Sequence, residues 1–279
     1  MKKEGRSSNR GWVPKPESRE LCPTRQERNY AMSMVAALRD LMQSSAREAA
    51  RRSLAILKHG YREIPFLRGS RKSKLIALVK PYTVLSYPKL SAIYELTSLL
   101  ERERVEGSFV ECGVLNGGGA GLIAAVARDN QRRQAWFFDS WEGLPEPTEF
   151  DVTISGKPIR KGQKLGSLQT VRQLLFTKLK LGETKIHLVK GWFGETIPAA
   201  KRAVGDIAFL HLDCNLYESY KVCLEQLHDH VVPRGIIFID DYKSWQGSKK
   251  ATDEFIQERK LEIELHSVHT AVYFRKAER

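Results

Sequence analysis

Residues 108–119 read SFVECGVLNGGG and predict a β-strand that turns directly into a helix. The apolar run 108–114 is typical of a buried strand, and the helix predicted over 117–128 begins among the glycines. Gly113 lets a ligand approach the backbone, and the free N–H groups of a helix N-terminus suit an anion or a carboxylate. The G-x-G-x-x-G spacing of a dinucleotide site is absent, so we expect a smaller ligand, with a plain strand-to-helix turn as the alternative.

The same alternation of strand and helix continues toward the C-terminus. The pattern predicts strands at 135–139, 186–190, 207–213 and 236–240, helices at 167–181, 217–230 and 247–259, and an antiparallel pair at 261–266 and 271–275. A long loop is expected at 141–166 and a turn at 233–235, because prolines and glycines gather there. Strands that alternate with helices indicate an α/β fold with a doubly wound, mostly parallel, seven-stranded sheet of the Rossmann-like type.

The N-terminal part of the chain lacks this alternation of strand and helix. An amphipathic helical pattern covers 30–58, and a second helix is predicted to begin at Pro88. Residues 66–82 are basic and are expected to be irregular apart from one short apolar run. We therefore divide the chain into three parts: a flexible basic tail (1–28), a helical N-terminal extension or lid (29–106) and a ligand-binding domain (107–279).

The net charge of +13 is concentrated at the front of the chain. Residues 1–80 hold 19 Lys and Arg against 7 Asp and Glu, whereas the rest holds 27 against 26. This front would either contact an anionic partner or form a solvated extension, and we favour the extension. No apolar run approaches the ~20 residues of a membrane span, and the N-terminus lacks an apolar signal segment. Together with four cysteines in no metal-type spacing, these features predict a cytoplasmic protein with reduced thiols.

Carboxylates recur where the predicted strands end. Glu111, Asp139, Asp213, Asp240 and Asp241 would gather at one edge, because the carboxyl ends of parallel strands meet there. The carboxylates of such a group repel one another unless a cation lies among them, and hard oxygen ligands select Mg²⁺ or a similar ion. Consecutive side chains of a strand point to opposite faces, so Asp240 and Asp241 would share one ion only if the strand ends between them. The alternative is that these carboxylates cap helices or face water.

Five motifs in order carry a resemblance to a known family. They are E-C-G-V-L-N-G-G (111–118), D-S-W-E-G-L-P (139–145), V-K-G-W-F-G-E-T-I-P (189–198), H-L-D-C-N-L-Y-E-S (211–219) and I-D-D-Y (239–242). Together they resemble the macrocin O-methyltransferase family, which methylates sugars in macrolide biosynthesis on the class I S-adenosylmethionine-dependent fold. The resemblance runs from about residue 82 to about residue 275.

The resemblance implies both a cofactor site and a metal site. Glu111 and Gly113 would line the methionine end of S-adenosylmethionine, while Asp139 and Ser140 would hold its adenosine. The other cofactor-binding positions that the resemblance implies are Thr83, Asn116, Gly117, Gly118 and Trp192. The metal ligands would be Asp213, Asp240 and Asp241. A bound Mg²⁺ would hold two neighbouring substrate hydroxyls and lower the pKa of one of them.

One position departs from the family pattern. The family has D-x-D in the fourth motif, with the second Asp as general base, but this chain has Asn215, which cannot take a proton. Either the metal alone acidifies the acceptor hydroxyl, or His211, Lys243 or His269 takes the role of the base, or activity is weak. We favour acidification by the metal.

The leading hypothesis is an O-methyltransferase that acts on a hydroxyl of a small molecule, such as a sugar or another vicinal diol. The basic residues 1–80 favour an RNA methyltransferase as an alternative, although binding of a nucleic acid would not explain the metal-type carboxylates. A cofactor-binding protein with little turnover is the third hypothesis, favoured by Asn215. A homo-oligomer is possible through the amphipathic segment 30–58. The loop 141–166 and the helices before Pro88 are expected to form the wall around the acceptor.

Overall fold

The computed structural model describes residues 69–278. The tail predicted at 1–28 and the helix predicted at 30–58 lie outside the described residues. The helices are α1 (Arg71–Val79), α2 (Tyr87–Arg102), α3 (Gly118–Ala127), α4 (Leu168–Arg172), α5 (Phe193–Val204), α6 (Tyr217–Leu227) and α7 (Gln246–Glu258). The strands are β1 (Ser108–Cys112), β2 (Ala135–Asp139), β3 (Ile186–Lys190), β4 (Ile207–Leu212), β5 (Val231–Ile239), β6 (His266–Val268) and β7 (Ala271–Arg275).

These strands form one seven-stranded sheet in the order β3-β2-β1-β4-β5-β7-β6. Strands β1 to β5 are parallel to one another, and β7 runs antiparallel to both β5 and β6. The prediction of a doubly wound, mostly parallel α/β sheet is therefore confirmed. The strand order reverses direction between β1 and β4, and in open α/β sheets ligands bind at the carboxyl edge near such a reversal.

Two apolar clusters pack on the two faces of the sheet. One joins Phe109 and Phe209 of the sheet to Leu90 and Ile93 of α2, and the other joins sheet residues to helix α6 through Tyr220. The alternation of side chains along each strand produces this division, because every second residue points to the same face. Helices α1, α2 and α3 thus cover one face, and α5, α6 and α7 cover the other.

The glycines at the start of α3 lie close to the segment before α2. A Cβ atom on Gly118 would overlap the side chain of Thr83, so the helix begins at a position where only glycine fits. Helix α2 begins at Tyr87 with Pro88 in its first turn, as the sequence predicts, since proline lacks the N–H that a first turn leaves unpaired. The backbone between α1 and α2 therefore sits directly beside the start of α3.

Four details of the sequence prediction are corrected. Residues 71–79, within the stretch expected to be irregular, form a helix capped by Ser70, whose Oγ accepts from the N–H of Ser73. Helix α5 was not predicted at all, and Pro198 lies inside it. The segment 233–235 is part of β5, where the register against β4 shifts, rather than a separate turn.

The fourth correction concerns the antiparallel pair. Of the strand predicted at 261–266, only His266 lies in β6, which runs on to Val268 before β7 returns. The segment 141–166 contains no regular helix or strand, as expected, and its β-type pairing is limited to two isolated bridges, Val152 with Pro158 and Thr153 with Trp245. Within residues 69–278, no helix has the length and apolar character needed to cross a bilayer.

Candidate functional site

A cavity of about 280 Å³ lies at the carboxyl edge of the parallel strands. The loops that follow β1, β2, β3 and β4 line it, together with part of the 141–166 segment. Among the residues singled out from the sequence, those that line it are Gly113, Asp139, Ser140, Trp192, Asp213 and Asn215. The edge predicted to hold the ligand is therefore an edge at which the structure has a cavity.

Gly113 brings two of these loops together. Its backbone φ is +93°, and a Cβ atom there would overlap the backbone carbonyl of Asp213. Its N–H donates to the carbonyl of Phe138 at 2.9 Å. Only glycine combines this conformation with so close an approach, which fixes the turns after β1 and β4 against each other at the cavity.

Asp139 holds the turn after β1 by its carboxylate. One oxygen accepts from the N–H groups of Val114 and Leu115 at 2.7 and 2.8 Å, and the other accepts from the N–H of Trp141 at 2.7 Å. An ionised carboxylate has about four acceptor positions, so room for one more donor is left. Ser140 supports the next turn, since its Oγ accepts from the N–H of Glu142 at 3.1 Å. Asp139 and Ser140 therefore line the cavity and also hold its wall in place through these hydrogen bonds.

Several predicted cofactor residues lie behind that wall. Thr83 packs against Gly118, and its Oγ1 accepts from the N–H of Leu85 at 3.0 Å. The side-chain oxygen of Asn116 accepts from the N–H of Ser167 at 3.1 Å. Gly117 has a φ of +92° and caps α3. None of these positions lines the cavity in the described structure, so their roles toward a cofactor stay predictions.

A group of metal-type ligands, two of them buried and Asp213 half-buried, lies next to the cavity. His211, Asp213 and Asp240 each offer one ligand atom, and these atoms lie within 4.8 Å of one another. Burial and the nearby Asp240 and Asp241 carboxylates raise the pKa of Asp213 well above its usual range. A cation placed among these groups would reverse that effect, so the donor set suits a hard divalent ion.

Lys89 supplies a positive charge to this group, and no motif in the sequence points to this role. Its ammonium lies 2.5 Å from Oδ2 of Asp240, and both side chains are under 10% exposed. Burial by itself would lower the pKa of Lys89, but Asp240, Asp241 and Asp213 outweigh it and raise that pKa. Lys89 is therefore charged at neutral pH, and it holds one oxygen of Asp240.

Asp240 and Asp241 have different partners, because β5 ends at Ile239 and the chain turns after it. While Asp240 faces Lys89, Asp241 Oδ2 accepts from Nδ2 of Asn215 at 2.9 Å, and the hydroxyl of Tyr220 lies 3.4 Å from it. Burial and the neighbouring Asp240 raise the pKa of Asp241 to about 7. Asp241 does not belong to the group of ligand atoms within 4.8 Å.

Glu111 and His211 form a buried pair across neighbouring strands. Nδ1 of His211 lies 2.9 Å from Oε1 of Glu111, and both residues are almost completely buried. Burial lowers the pKa of His211 to about 4, and burial together with Asp139 and Asp240 raises the pKa of Glu111 well above its usual range. His211 is therefore neutral at neutral pH, and burial disfavours the charged form of Glu111 as well.

Three buried polar atoms of this region have no hydrogen-bond partner within residues 69–278. They are Oε2 of Glu111, Nε2 of His211 and Oδ1 of Asp240. Unpaired buried polar atoms are rare in folded proteins and call for an explanation such as a bound ion. Two of them belong to residues of the ligand group, so the residues present fit a divalent ion.

The two remaining candidates for a base lie elsewhere. His269 is exposed in the β6–β7 turn with a φ of +53°, and Lys243 is exposed with its ammonium 2.7 Å from the hydroxyl of Ser267. Neither side chain lines the cavity. A second residue missed from the sequence, Lys164, does line it, and no local pattern distinguishes this lysine from the others in its loop.

Comparisons with known proteins agree with this architecture. The family model described as macrocin-O-methyltransferase (TylF) matches residues 69–276. The 8-demethyl-8-(2,3-dimethoxy-alpha-L-rhamnosyl)-tetracenomycin-C 4'-O-methyltransferase of Streptomyces olivaceus is 30% identical over 58% of this chain and 62% of its own length, so the match spans less than two thirds of that relative. Mycinamicin III 3''-O-methyltransferase of Micromonospora griseorubida is 23% identical over 77% of this chain and 86% of its own length.

Solved structures show the same fold. The structure of the O-methyltransferase NovP superposes with a TM-score of 0.64 at 27% identity, covering 71% of this chain and 83% of that one. The calicheamicin methyltransferase CalS11, at 18% identity and a TM-score of 0.55, is similar in fold over 97% of this chain and 100% of its own. Since the family model covers most of the sequence, the chain belongs to the macrocin-O-methyltransferase family.

Proposed function

We propose that this protein transfers a methyl group from S-adenosylmethionine to a hydroxyl of a small molecule, a sugar or another vicinal diol, with the help of a divalent ion. The names of its relatives describe O-methylation of a rhamnosyl tetracenomycin, of demethyldecarbamoylnovobiocin and of mycinamicin III. The observation that carries the proposal is the cavity at the sheet edge, with the ligand group of His211, Asp213 and Asp240 beside it.

The charges of the cavity suit the cofactor. Asp139, Asp213 and Glu218 line it, and negative side chains favour a ligand that carries a sulfonium and an ammonium. When bound, S-adenosylmethionine supplies the methyl group for an in-line displacement. The protein contributes position, because Gly113 and Asp139 fix the turn after β1 and so fix one wall of the cavity.

Asp213 joins the cavity to the buried ligand group. Of the residues in that group it alone also lines the cavity, so an acceptor hydroxyl at Asp213 would lie beside the ion. The bound ion would lower the pKa of that hydroxyl. His211 is a poor general base, since it is fully buried, held by Glu111 and absent from the cavity wall. We therefore favour acidification by the ion over a histidine base.

The test uses the full chain, labelled S-adenosylmethionine and a panel of sugar-containing acceptors. EDTA should stop methyl transfer while the affinity for S-adenosylhomocysteine, measured by calorimetry, stays nearly unchanged. Asp213→Asn should give the same pattern, because it removes the ligand that touches both sites. Full activity in EDTA would remove the ion from the proposal, and the absence of cofactor binding would remove the proposal as a whole.

Replacing Asn215 by Asp tests the missing base. A positioned base contributes ~10²–10⁴-fold to such a reaction. The new carboxylate would lie where Asn215 now contacts Asp241 at 2.9 Å. Because repulsion between two carboxylates raises their pKa values, the increase in rate should appear at alkaline pH. Asn215→Ala is the control, since it removes the contact without adding a base. An equal rate for both variants across the pH range would show that position 215 takes no proton.

A further inference from the structure

Leu115 lines the cavity in a backbone conformation that leucine disfavours. The N–H of Gly117 donates to the carbonyl of Val114 at 2.8 Å and closes a four-residue turn in which Leu115 is the second residue. Leu115 has a φ of +53°, whereas Asn116, the third residue, has no positive φ. A positive φ at the second position alone is the pattern of a type II′ turn, where that position is usually glycine. Contacts from outside the turn must therefore hold Leu115 in this conformation.

Two residues at and after the end of β2 hold both backbone groups of Leu115. Its N–H donates to Oδ2 of Asp139 at 2.8 Å, and its carbonyl accepts from the indole N–H of Trp141 at 3.1 Å. The backbone N–H of Trp141 donates to the other oxygen of Asp139 at 2.7 Å. Trp141 is buried in the apolar cluster under the sheet, so packing fixes its ring and directs its N–H at this one acceptor.

The far end of the 141–166 segment encloses the same carbonyl. A Cβ atom on Gly166 would overlap the carbonyl oxygen of Leu115, so the backbone of Gly166 packs directly against that group. Next to it, the N–H of Ser167 donates to the side-chain oxygen of Asn116 at 3.1 Å. Little room is left for a water molecule to replace the indole, and a carbonyl that loses its partner without regaining water is unfavourable.

We propose that Trp141 is a positioning residue for the cofactor, because its indole N–H holds the carbonyl of Leu115 and so keeps the turn after β1 in the form that lines the cavity. This inference rests on the proposed function, which makes S-adenosylmethionine the ligand of the cavity. Trp141 is absent from the cavity lining, so it acts through Leu115, which does line the cavity.

Loss of the indole N–H allows the turn to relax toward the negative φ that leucine prefers. A ligand that binds only the held turn then loses apparent affinity in proportion to the fraction of molecules that keep it. Bound cofactor restores the turn, so KM for S-adenosylmethionine should rise while kcat stays nearly unchanged. A residue that only stabilises the fold would lower the Tm without this difference between KM and kcat.

The test measures calorimetric binding of S-adenosylhomocysteine to the full chain, and the kinetics of any acceptor that the parent protein methylates. We expect Trp141→Phe to weaken binding about tenfold, the equilibrium effect of one lost hydrogen bond, and to raise KM by a similar factor. Trp136→Phe is the matched control. Trp136 is a second buried tryptophan, on β2, and its indole N–H has no hydrogen-bond partner within residues 69–278. This variant should bind like the parent protein.

Variants of Leu115 test the conformation itself. Because glycine accepts a positive φ without strain, Trp141→Phe should weaken binding by less than about threefold when it is combined with Leu115→Gly. Leu115→Val leaves the indole in place. It should bind S-adenosylhomocysteine more weakly than Leu115→Gly does, since a β-branched residue resists a positive φ. Loss of a side-chain contact alone would give the opposite order.

Equal binding by Trp141→Phe and the parent protein overturns the inference and leaves the proposed function intact. The same conclusion follows from a loss of equal size in the Leu115→Gly background, from a comparable loss in Trp136→Phe, or from tighter binding by Leu115→Val than by Leu115→Gly. Absence of S-adenosylhomocysteine binding by the parent protein would instead overturn the proposed function, and this inference with it.

Discussion

Replacing Lys89 by methionine tests whether this lysine is the counter-charge of the buried carboxylates. Methionine keeps most of the length of the side chain and removes the ammonium that lies 2.5 Å from Asp240. The Lys89 and Asp240 side chains are only 8% and 4% exposed, so the variant leaves a buried carboxylate without its partner. Removing one member of a buried pair costs about 3–5 kcal/mol. Since 1 kcal/mol moves the Tm of a domain of this size by about 2–4 °C, we expect a fall of roughly 6–20 °C.

The assay is thermal unfolding in EDTA, followed by circular dichroism. Lys72→Met is the matched control, because Lys72 pairs with Glu95 at 2.9 Å in a more exposed position, where such pairs contribute about 0–1 kcal/mol. The double variant Lys89→Met/Asp240→Asn should be more stable than Lys89→Met alone, since both charges are then gone. If a divalent ion binds as proposed, Mg²⁺ should stabilise Lys89→Met more than the parent protein. A Tm loss no larger than that of Lys72→Met would refute the role given to Lys89.

Two further predictions concern the fold around the site. Gly113→Ala should lower the Tm and abolish binding of S-adenosylhomocysteine, because its Cβ would overlap the carbonyl of Asp213, whereas Gly182→Ala, with nothing within 4 Å and away from the cavity lining, should change neither. Burial lowers the pKa of His187, which stacks on Trp136, so the unfolded chain takes up a proton more readily and stability falls as the pH drops below about 6.5. In denaturant titrations the His187→Phe variant should therefore lose less stability than the parent protein between pH 7 and pH 5.

The elements of the sheet could be predicted because their signals are local. Each buried strand is a short apolar run, and each helix after it begins near a glycine, a serine or a tyrosine at a recognisable boundary. Helix α5 has glycines at its boundaries, Gly191 before it and Gly205 after it, but Pro198 in its interior makes the sequence resemble a loop. The sequence around Arg234 is typical of a turn, and the φ of this residue is +67°. Only the pairing of β5 with β4 shows that the segment is a shift in register within the strand.

The site was predictable to the extent that topology determines it. Parallel strands place their carboxyl ends together, which is why Asp213 and Asp240 could be expected to meet. Lys89 carries no such signal, since it is 151 residues from its partner and stands among the apolar residues of α2. Asp139, expected to receive cofactor hydroxyls, already accepts three backbone N–H groups, because the tight turn after β1 needs those donors satisfied.

The end of β5 explains why Asn215 fits this chain. The chain turns after Ile239, which lets Asp240 meet Lys89 on one side while Asp241 reaches Asn215 and Tyr220. An amide at position 215 donates a hydrogen bond to Asp241, whereas the aspartate of the family pattern would be a second acceptor facing the first. The substitution thus exchanges a group able to take a proton for one that holds a buried carboxylate in place. Under the proposed function, acidification of the acceptor would depend on the ion that Asp213 and Asp240 would hold, while Asp241 stays fixed by its own partners.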